Sequence, residues 1–127
     1  MEPQINADSR GFKHKDLTEK IIGLFFQTYN ELGYGFLESV YEEAFAITLA
    51  SAGLRHQRQV PVPVWFRGTQ IGDFRADFIV EEVVLLELKA ARALEPAHDA
   101  QLLNYLRATN LEIGLLLNFG AKPQFRR

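Results

Sequence analysis

Apolar residues recur at helical spacing between residues 16 and 32, which predicts a first helix there. Asp16 and Glu19 are three positions apart and have the form of a capping box, so we expect this helix to begin at Asp16. The glycines that follow Leu32 should end it, because glycine readily adopts the left-handed conformation found after helix ends. A second helix is predicted over residues 37–52.

The pattern changes to alternation in the middle of the chain, where three predicted strands follow one another. Residues 60–66 alternate valines and a phenylalanine with prolines and a tryptophan, and the two prolines predict an edge strand or an irregular one. Residues 71–80 and 83–90 form the next two predicted strands, and only Glu81 and Glu82 separate them. Three strands in succession predict an antiparallel meander.

A further helix and strand complete the predicted core. Pro96 occupies the place of a first-turn proline, and the apolar residues after it follow helical spacing to about Thr109. Residues 113–119 are mainly apolar, which predicts a central strand covered on both faces, and residues 122–127 are expected to add a short basic edge strand. This order of elements predicts an α/β (α+β) fold in which helices pack against a sheet.

Composition and charge narrow the classes of protein to consider. The 127 residues fit one domain, which we expect over residues 16–127 after a loose lead-in over residues 1–15. No apolar run is long enough to span a membrane, and the first residues lack the apolar core of a signal peptide, so we expect a cytoplasmic protein. The absence of cysteine excludes thiolate zinc sites and cysteine nucleophiles. The net charge of −2 argues against binding duplex nucleic acid by bulk charge alone.

A charged pair lies at the end of a strand that is otherwise apolar. Glu87 and Lys89 are two positions apart on the third predicted strand, so both point to one face, about 6 to 7 Å apart. An exposed ion pair of little energetic value is the ordinary explanation of such a motif. Val83 and Leu85 precede Glu87 on the same face, however, and they favour a covered position.

Asp77 lies on the other arm of the predicted hairpin. If the hairpin brought its carboxylate to Glu87, the two acids and Lys89 would suit a hard divalent cation such as Mg²⁺, which takes oxygen ligands. A strict two-residue turn would instead place Asp77 opposite Leu86, on the wrong face for Glu87. The site therefore requires a bulge, a splayed hairpin or a longer loop.

The predicted helices carry further candidates. Glu38 falls between Phe45 and Leu49 on the wheel of the second helix, so it is an acid in an apolar stripe. Metal binding and a place in the first turn, where a carboxylate satisfies backbone N–H groups, explain this position equally well. Gln101 and Tyr105 are four residues apart on the third helix and share a face, although a core tyrosine and a solvated glutamine would show the same spacing.

The segment GFLESVY, from Gly35 to Tyr41, fits the motif that names the GxxExxY proteins, a small bacterial and archaeal group of the PD-(D/E)xK nuclease superfamily. The blocks ELGYGFLESVYEEAF, ADFIV, LLELKA and HDAQLLNYLRATNLEIGLLLNFG also resemble that family, in the same order, from about Asp16 onward. The resemblance implies a restriction-endonuclease-like α-β-β-β-α-β core with a mixed sheet and an extra N-terminal helix. Ala76 differs from the superfamily motif, which has proline there.

For the strands, this resemblance implies a nuclease centre. Asp77 and Glu87 would hold Mg²⁺ or Mn²⁺, and the Leu88 main-chain carbonyl would complete the ligand shell. Lys89 would orient or help deprotonate the attacking water and offset charge on the phosphate. Phosphodiester hydrolysis needs such a metal to polarise the phosphate and a cation against the developing charge.

For the helices, the resemblance implies supporting roles. Glu38 matches an acid that many superfamily members supply to the metal from the preceding helix, while Gln101 and Tyr105 match a Gln-x-x-x-Tyr signature of the exonuclease-like branch. The implied partner is nucleic acid, with DNA as the expected substrate, and a homodimer is expected if the DNA is duplex.

Three other functions remain open at this point. The first is a nucleic-acid-binding or regulatory protein on the same fold, without turnover. The second is an interaction module whose charges are structural, which predicts that Asp77 and Glu87 lie far apart. The third is an enzyme that acts on a different metal-linked substrate.

Overall fold

The computed structural model describes the backbone from Glu2 to Arg127 and the side chains from His14 onward. The elements, in chain order, are α1 (Glu2–Leu32), α2 (Glu38–Ser51), β1 (His56–Phe66), β2 (Thr69–Val80), β3 (Val84–Lys89), α3 (Pro96–Thr109), β4 (Ile113–Phe119) and β5 (Pro123–Arg126). The elements predicted after residue 32 are all present, within a few residues of their expected bounds. None of the described helices is long and apolar enough to cross a membrane.

The first helix begins earlier than the capping box predicted. α1 continues through Asp16, so the predicted helix start there is wrong. Lys15 and Glu19 form an ion pair at 4.0 Å, as side chains four residues apart do within a continuous helix. The division into a lead-in over residues 1–15 and a domain after it stays a prediction, and the side chains of residues 1–13 lie outside the described part of the chain.

A glycine turn joins α1 to α2, as predicted. Gly33 and Gly35 have φ angles of 73° and 111°, which glycine adopts at little cost because it has no Cβ. The Tyr41 hydroxyl donates a hydrogen bond of 2.6 Å to the Gly33 carbonyl. This bond ties the glycine turn to the beginning of α2 and so sets the position of Glu38 at the first turn of that helix.

The five strands form one mixed sheet in the order β1-β2-β3-β4-β5. Strands β1, β2 and β3 form an antiparallel meander, as the sequence predicted. After α3, β4 pairs parallel with β3, and β5 then pairs antiparallel with β4. A parallel pair needs a crossover connection, which α3 provides. The predicted α+β class, with helices against a mixed sheet, is confirmed.

Helices cover both faces of this sheet. The core under α1 and α2 contains Phe25, Phe45 and Leu86, all fully buried. The core under α3 contains Leu85 and Leu102. Successive residues of β3 therefore enter different cores, as expected of a central strand covered on both sides. Such a strand is a rigid support for the side chains at its end.

Candidate active site

The hairpin between β2 and β3 turns through three residues instead of two. Val80 pairs with Val84, which leaves residues 81–83 as the loop. Two loop residues have positive φ angles, of 52° and 61°. Extended past its last pair, this register places Asp77 opposite Glu87 and on the same face. The three-residue loop therefore places the two acids on one face, which a strict two-residue turn over Glu81 and Glu82 would not do.

Side-chain hydrogen bonds replace the strand ladder where Asp77 and Glu87 meet. The β2–β3 ladder ends at the pair Phe78 and Leu86. Beyond that pair, the Asp77 N–H donates to Glu87 Oε1 at 3.4 Å, and the Leu88 N–H donates to Asp77 Oδ2 at 2.7 Å. Each acid is thus held by the backbone of the opposite strand. Leu88 contributes its N–H to this contact, and a role for its carbonyl stays a prediction.

Gln59 holds Asp77 from the other side, and no sequence pattern singled it out. The β1–β2 ladder skips Gln59 and Asp77, and Gln59 has a positive φ of 50°. The Gln59 amide donates to Asp77 Oδ1 at 3.4 Å and to Glu42 Oε1 on α2 at 2.7 Å. Local breaks in a ladder often lie beside functional sites. This one arises from contacts among three elements, so it has no local signature in the sequence.

Strand β2 changes faces at this break. Ala76 packs in the core under α3, whereas Phe78 packs in the core under α1 and α2. Residues two positions apart in a regular strand point to the same face. The irregular backbone around Asp77 therefore lets one strand contribute to both cores, and it leaves Asp77 without a place in either ladder.

Burial dominates the electrostatics of the two facing acids. Glu87 is only 6% exposed, and burial raises its pKa to about 8, with a further contribution from the negative charge of Asp77. Burial also raises the pKa of Asp77, although the hydrogen bond that the Leu88 N–H donates to its carboxylate lowers this pKa in part. Two facing carboxylates of like charge, one buried and one half-buried, are costly when both are ionised. The pair therefore favours either a bound proton or a bound cation.

Glu38 lies beside this pair but is not buried. It is the first residue of α2, and the buried stripe of that helix begins one turn later, at Tyr41. The side chain is exposed, so the expectation of an acid within the buried stripe is wrong for Glu38. Desolvation raises its pKa, the negative charge of Asp77 raises it further, and the positive charge of Lys89 lowers it. Glu38 is thus an exposed acid whose pKa responds to the charges of Asp77 and Lys89.

The residues predicted on α3, Gln101 and Tyr105, lie on the side of the sheet that α3 covers, near the end of β3. Lys89 Nζ donates to Gln101 Oε1 at 3.3 Å. Tyr105 lies one turn further along α3, and burial, followed by the negative charge of Glu87, raises its pKa. The Tyr105 ring stacks on Phe74, with centroids 3.5 Å apart and planes 11° from parallel. The spacing of Gln101 and Tyr105 therefore does bring both side chains to the charged cluster.

The comparison with protein families decides the assignment. The family model of the PD-(D/E)XK nuclease superfamily matches residues 15–127, nearly the whole chain. The chain belongs to the PD-(D/E)XK nuclease superfamily.

The comparison with solved structures supports the fold of this PD-(D/E)XK chain. The crystal structure of SSO0001 matches it with a TM-score of 0.56 at 19% sequence identity. The match covers 69% of this chain and 47% of SSO0001, so the chain spans about half the length of that protein. The predicted restriction-endonuclease-like fold is confirmed. No curated protein matches the chain.

The donors of the acidic pair fit the divalent metals that PD-(D/E)XK nucleases typically use. Mg²⁺ takes oxygen ligands, often only one or two protein carboxylates, and keeps several waters. Asp77 and Glu87 supply such oxygens, and a cation would offset the like charges that burial makes costly. Within the described residues, no group of three or more His, Cys, Asp and Glu lies close enough to hold an ion. Glu38 is a neighbour of the pair, and its role as a further metal ligand stays a prediction.

Proposed function

We propose that this chain is a metal-dependent nuclease that hydrolyses phosphodiester bonds of DNA. The observation that carries the proposal is the pair of the half-buried Asp77 and the buried Glu87, which face each other with Lys89 two positions further along β3. The net charge of the chain is −2, so phosphate recognition has to come from a local source of positive charge. A cation between the two acids, together with Lys89, is such a source.

In this proposal Asp77 and Glu87 hold Mg²⁺ or Mn²⁺, with water and the Leu88 main-chain carbonyl as further ligands. When bound, the ion supplies Lewis-acid chemistry, which polarises the phosphate and lowers the pKa of the attacking water. The raised pKa of Glu87 supports this assignment, because a carboxylate that is costly to ionise alone gains from a neighbouring cation. Backbone hydrogen bonds from the opposite strand hold both acids in place for that role.

Lys89 supplies the second positive charge. It is half-buried, and its contact with Gln101 on α3 holds the ammonium group beside the acids. In the proposed reaction Lys89 orients or helps deprotonate the attacking water and stabilises the charge that develops on the phosphate. Gln101 and Tyr105 act as positioning residues, and Glu38 is a further, exposed acid of the site.

Three finer assignments belong to the same proposal. Gly35, Glu38 and Tyr41 support membership in the GxxExxY group, on the sequence motif alone. A cytoplasmic location is proposed from the sequence pattern. A homodimer is proposed for the case in which the substrate is duplex DNA, since one site would then act on each strand.

The experiment that tests the function is a cleavage assay on single-stranded and double-stranded DNA and RNA, with Mg²⁺ or Mn²⁺ and with EDTA. The wild-type protein is expected to cleave DNA only with the metal. Glu87→Gln and Lys89→Met should each lower the rate by about 10²-fold or more, the scale for loss of one preorganised charge-stabilising group. Glu82→Gln, an exposed acid in the same hairpin, is the matched control and should cleave at the wild-type rate.

Two outcomes would overturn the proposal. If the wild type, Glu87→Gln and Lys89→Met cleave at one rate, the activity does not come from this site. If the wild type binds nucleic acid with either metal but never cleaves it, the non-catalytic binding protein on the same fold is the correct function.

A further inference from the structure

A groove of about 560 Å³ lies between the β1–β2 arm and α3. The residues that line it are Pro63, Val64, Trp65, Phe74, Asn104, Tyr105, Arg107 and Ala108. Trp65 is 60% exposed and is the chain's single tryptophan. A register shift between Val64 and Trp65 interrupts the β1–β2 ladder at this point, and such bulges change the direction of the side chains beside them. The groove therefore offers a large aromatic surface to solvent.

The groove is continuous with the candidate active site through Tyr105. Tyr105 lines the groove, and Gln101, one turn before it on α3, accepts a hydrogen bond of 3.3 Å from Lys89 Nζ. Phe74 covers one face of the Tyr105 ring. A chain bound along Trp65 would thus pass Tyr105 in the direction of Gln101 and Lys89.

The charges of the groove suit an anionic ligand with apolar faces. Among the residues from His14 onward, no carboxylate lines it. Arg107 supplies one positive charge, and within the described residues it forms no ion pair. Its guanidinium donates to Asn104 Oδ1 at 3.3 Å, so the groove presents a cation and an amide side by side. A guanidinium and an amide can bind phosphate oxygens and base edges.

We propose that this groove binds unpaired bases of single-stranded nucleic acid, with one base stacked on Trp65 and a phosphate at Arg107. The inference deepens the proposed function, on which it rests, because it names the form of the substrate. Stacking on aromatic side chains contributes to binding without requiring many cations, whereas duplex binding depends on neutralising many phosphates. One arginine and an exposed tryptophan, on a chain of net charge −2, match the first kind of binding.

The single tryptophan makes the test direct, since its fluorescence reports on this groove alone. A short oligo(dT) strand is titrated into the wild-type protein in EDTA, which prevents metal-dependent cleavage. Bases stacked on the indole should quench the fluorescence in a saturable way. An abasic strand of the same length carries the same phosphates and should bind about tenfold more weakly without this quenching, as should a duplex of that length.

Variants separate the groove from the rest of the surface, with affinity measured by anisotropy of a labelled oligo(dT). Trp65→Ala should weaken binding about tenfold. Phe66→Ala is the matched control, because Phe66 is an exposed aromatic neighbour that does not line the groove, and it should keep the wild-type affinity. Arg107→Gln should weaken binding. It should also reduce the slope of log affinity against log salt concentration by about 1, as expected for the loss of one phosphate contact. Thermal unfolding of each variant checks that it is folded.

Several results would overturn the inference. Absence of quenching by oligo(dT) is one, and equal quenching by the abasic strand or by the duplex is another. If Trp65→Ala changes the sedimentation of the protein and leaves oligo(dT) affinity unchanged, the groove is a contact between copies of this chain. Cleavage without quenching would contradict the binding of bases in the groove but not the nuclease activity. Quenching without any cleavage would contradict the nuclease activity but not the binding in the groove.

Discussion

Asp77 and Glu87 face each other across β2 and β3, one step beyond the last pair of the strand ladder. The Asp77 backbone N–H donates to the Glu87 carboxylate at 3.4 Å. Neither acid would reach the other if Val80 paired with Val83 across a two-residue loop, because the side chains of a strand alternate between faces. The geometry of the candidate site thus depends on a loop that lies several residues away from it.

Deleting Glu82 should therefore abolish nuclease activity. With one residue fewer, a hairpin that keeps a three-residue loop pairs Val80 with Leu85 and places Asp77 opposite Leu88, which forces either the acids or the apolar residues of β3 onto the wrong face. We also expect a marked loss of thermal stability, because β3 is buried on both sides. Cleavage assays and thermal unfolding measure the two effects.

Glu82→Gly is the control for that deletion, because it keeps the loop length. Glu82 has a φ of 61°, a conformation that costs a non-glycine residue about 1 kcal/mol or more and glycine very little. The substitution should keep wild-type activity and leave stability equal or higher. A deletion variant as active and as stable as Glu82→Gly would contradict the role given to the loop.

The stability of the metal-free protein should fall as the pH rises through the range set by Glu87. Burial raises the pKa of this carboxyl from its ordinary value of 4.5 to about 8. Between these values the folded protein binds more protons than the unfolded chain does, so the free energy of unfolding decreases with pH. Asp77, whose pKa is also raised, contributes in the same direction.

Glu87→Gln tests this dependence, because the amide cannot ionise. The variant should be more stable than the wild type at pH 9, by on the order of a few kcal/mol, and close to it at pH 5. Chemical denaturation in EDTA across this pH range measures the difference. A gain of the same size at pH 5 and at pH 9 would show that the effect comes from packing and not from charge.

Divalent cations should stabilise the folded protein through the same two acids. Mg²⁺ or Mn²⁺ binds the folded state and should raise its melting temperature, with a larger shift at pH 8 than at pH 6 because the ion competes with the proton on Glu87. Asp77→Asn and Glu87→Gln should lose most of the shift. NaCl at matched ionic strength controls for general screening, and an equal shift in wild type and variants would locate the bound ion elsewhere.

Gln59→Ala should weaken the site without touching the acids themselves. The amide links Asp77 to Glu42, so its removal should cost about 1 kcal/mol of stability and lower the cleavage rate through a less fixed Asp77. Gln57→Ala is the matched control, because Gln57 is an exposed glutamine on the same strand. If the two variants show the same stability and rate, the Gln59 contacts have no role in holding the site.

Most of the architecture could be predicted from local patterns in the sequence. The apolar run over residues 113–119 is β4, and Pro96 begins α3. The start of α1 could not be predicted, because Asp16 and Glu19 are acceptable inside a helix as well as at its end. Glu38 was assigned to the correct helix, but it is exposed because α2 begins at this residue and the buried stripe begins only at Tyr41.

The sequence by itself determined which segments form helices and strands, since periodicity and turn residues act over short distances along the chain. It also identified Asp77, Glu87 and Lys89 as unusual charges on apolar strands. Only the tertiary structure decided that Asp77 faces Glu87, because register depends on the number of residues in the loop and on the packing of both sheet faces. The contact of Gln59 with Asp77 and Glu42 likewise needs β1, β2 and α2 together, and no local pattern encodes it.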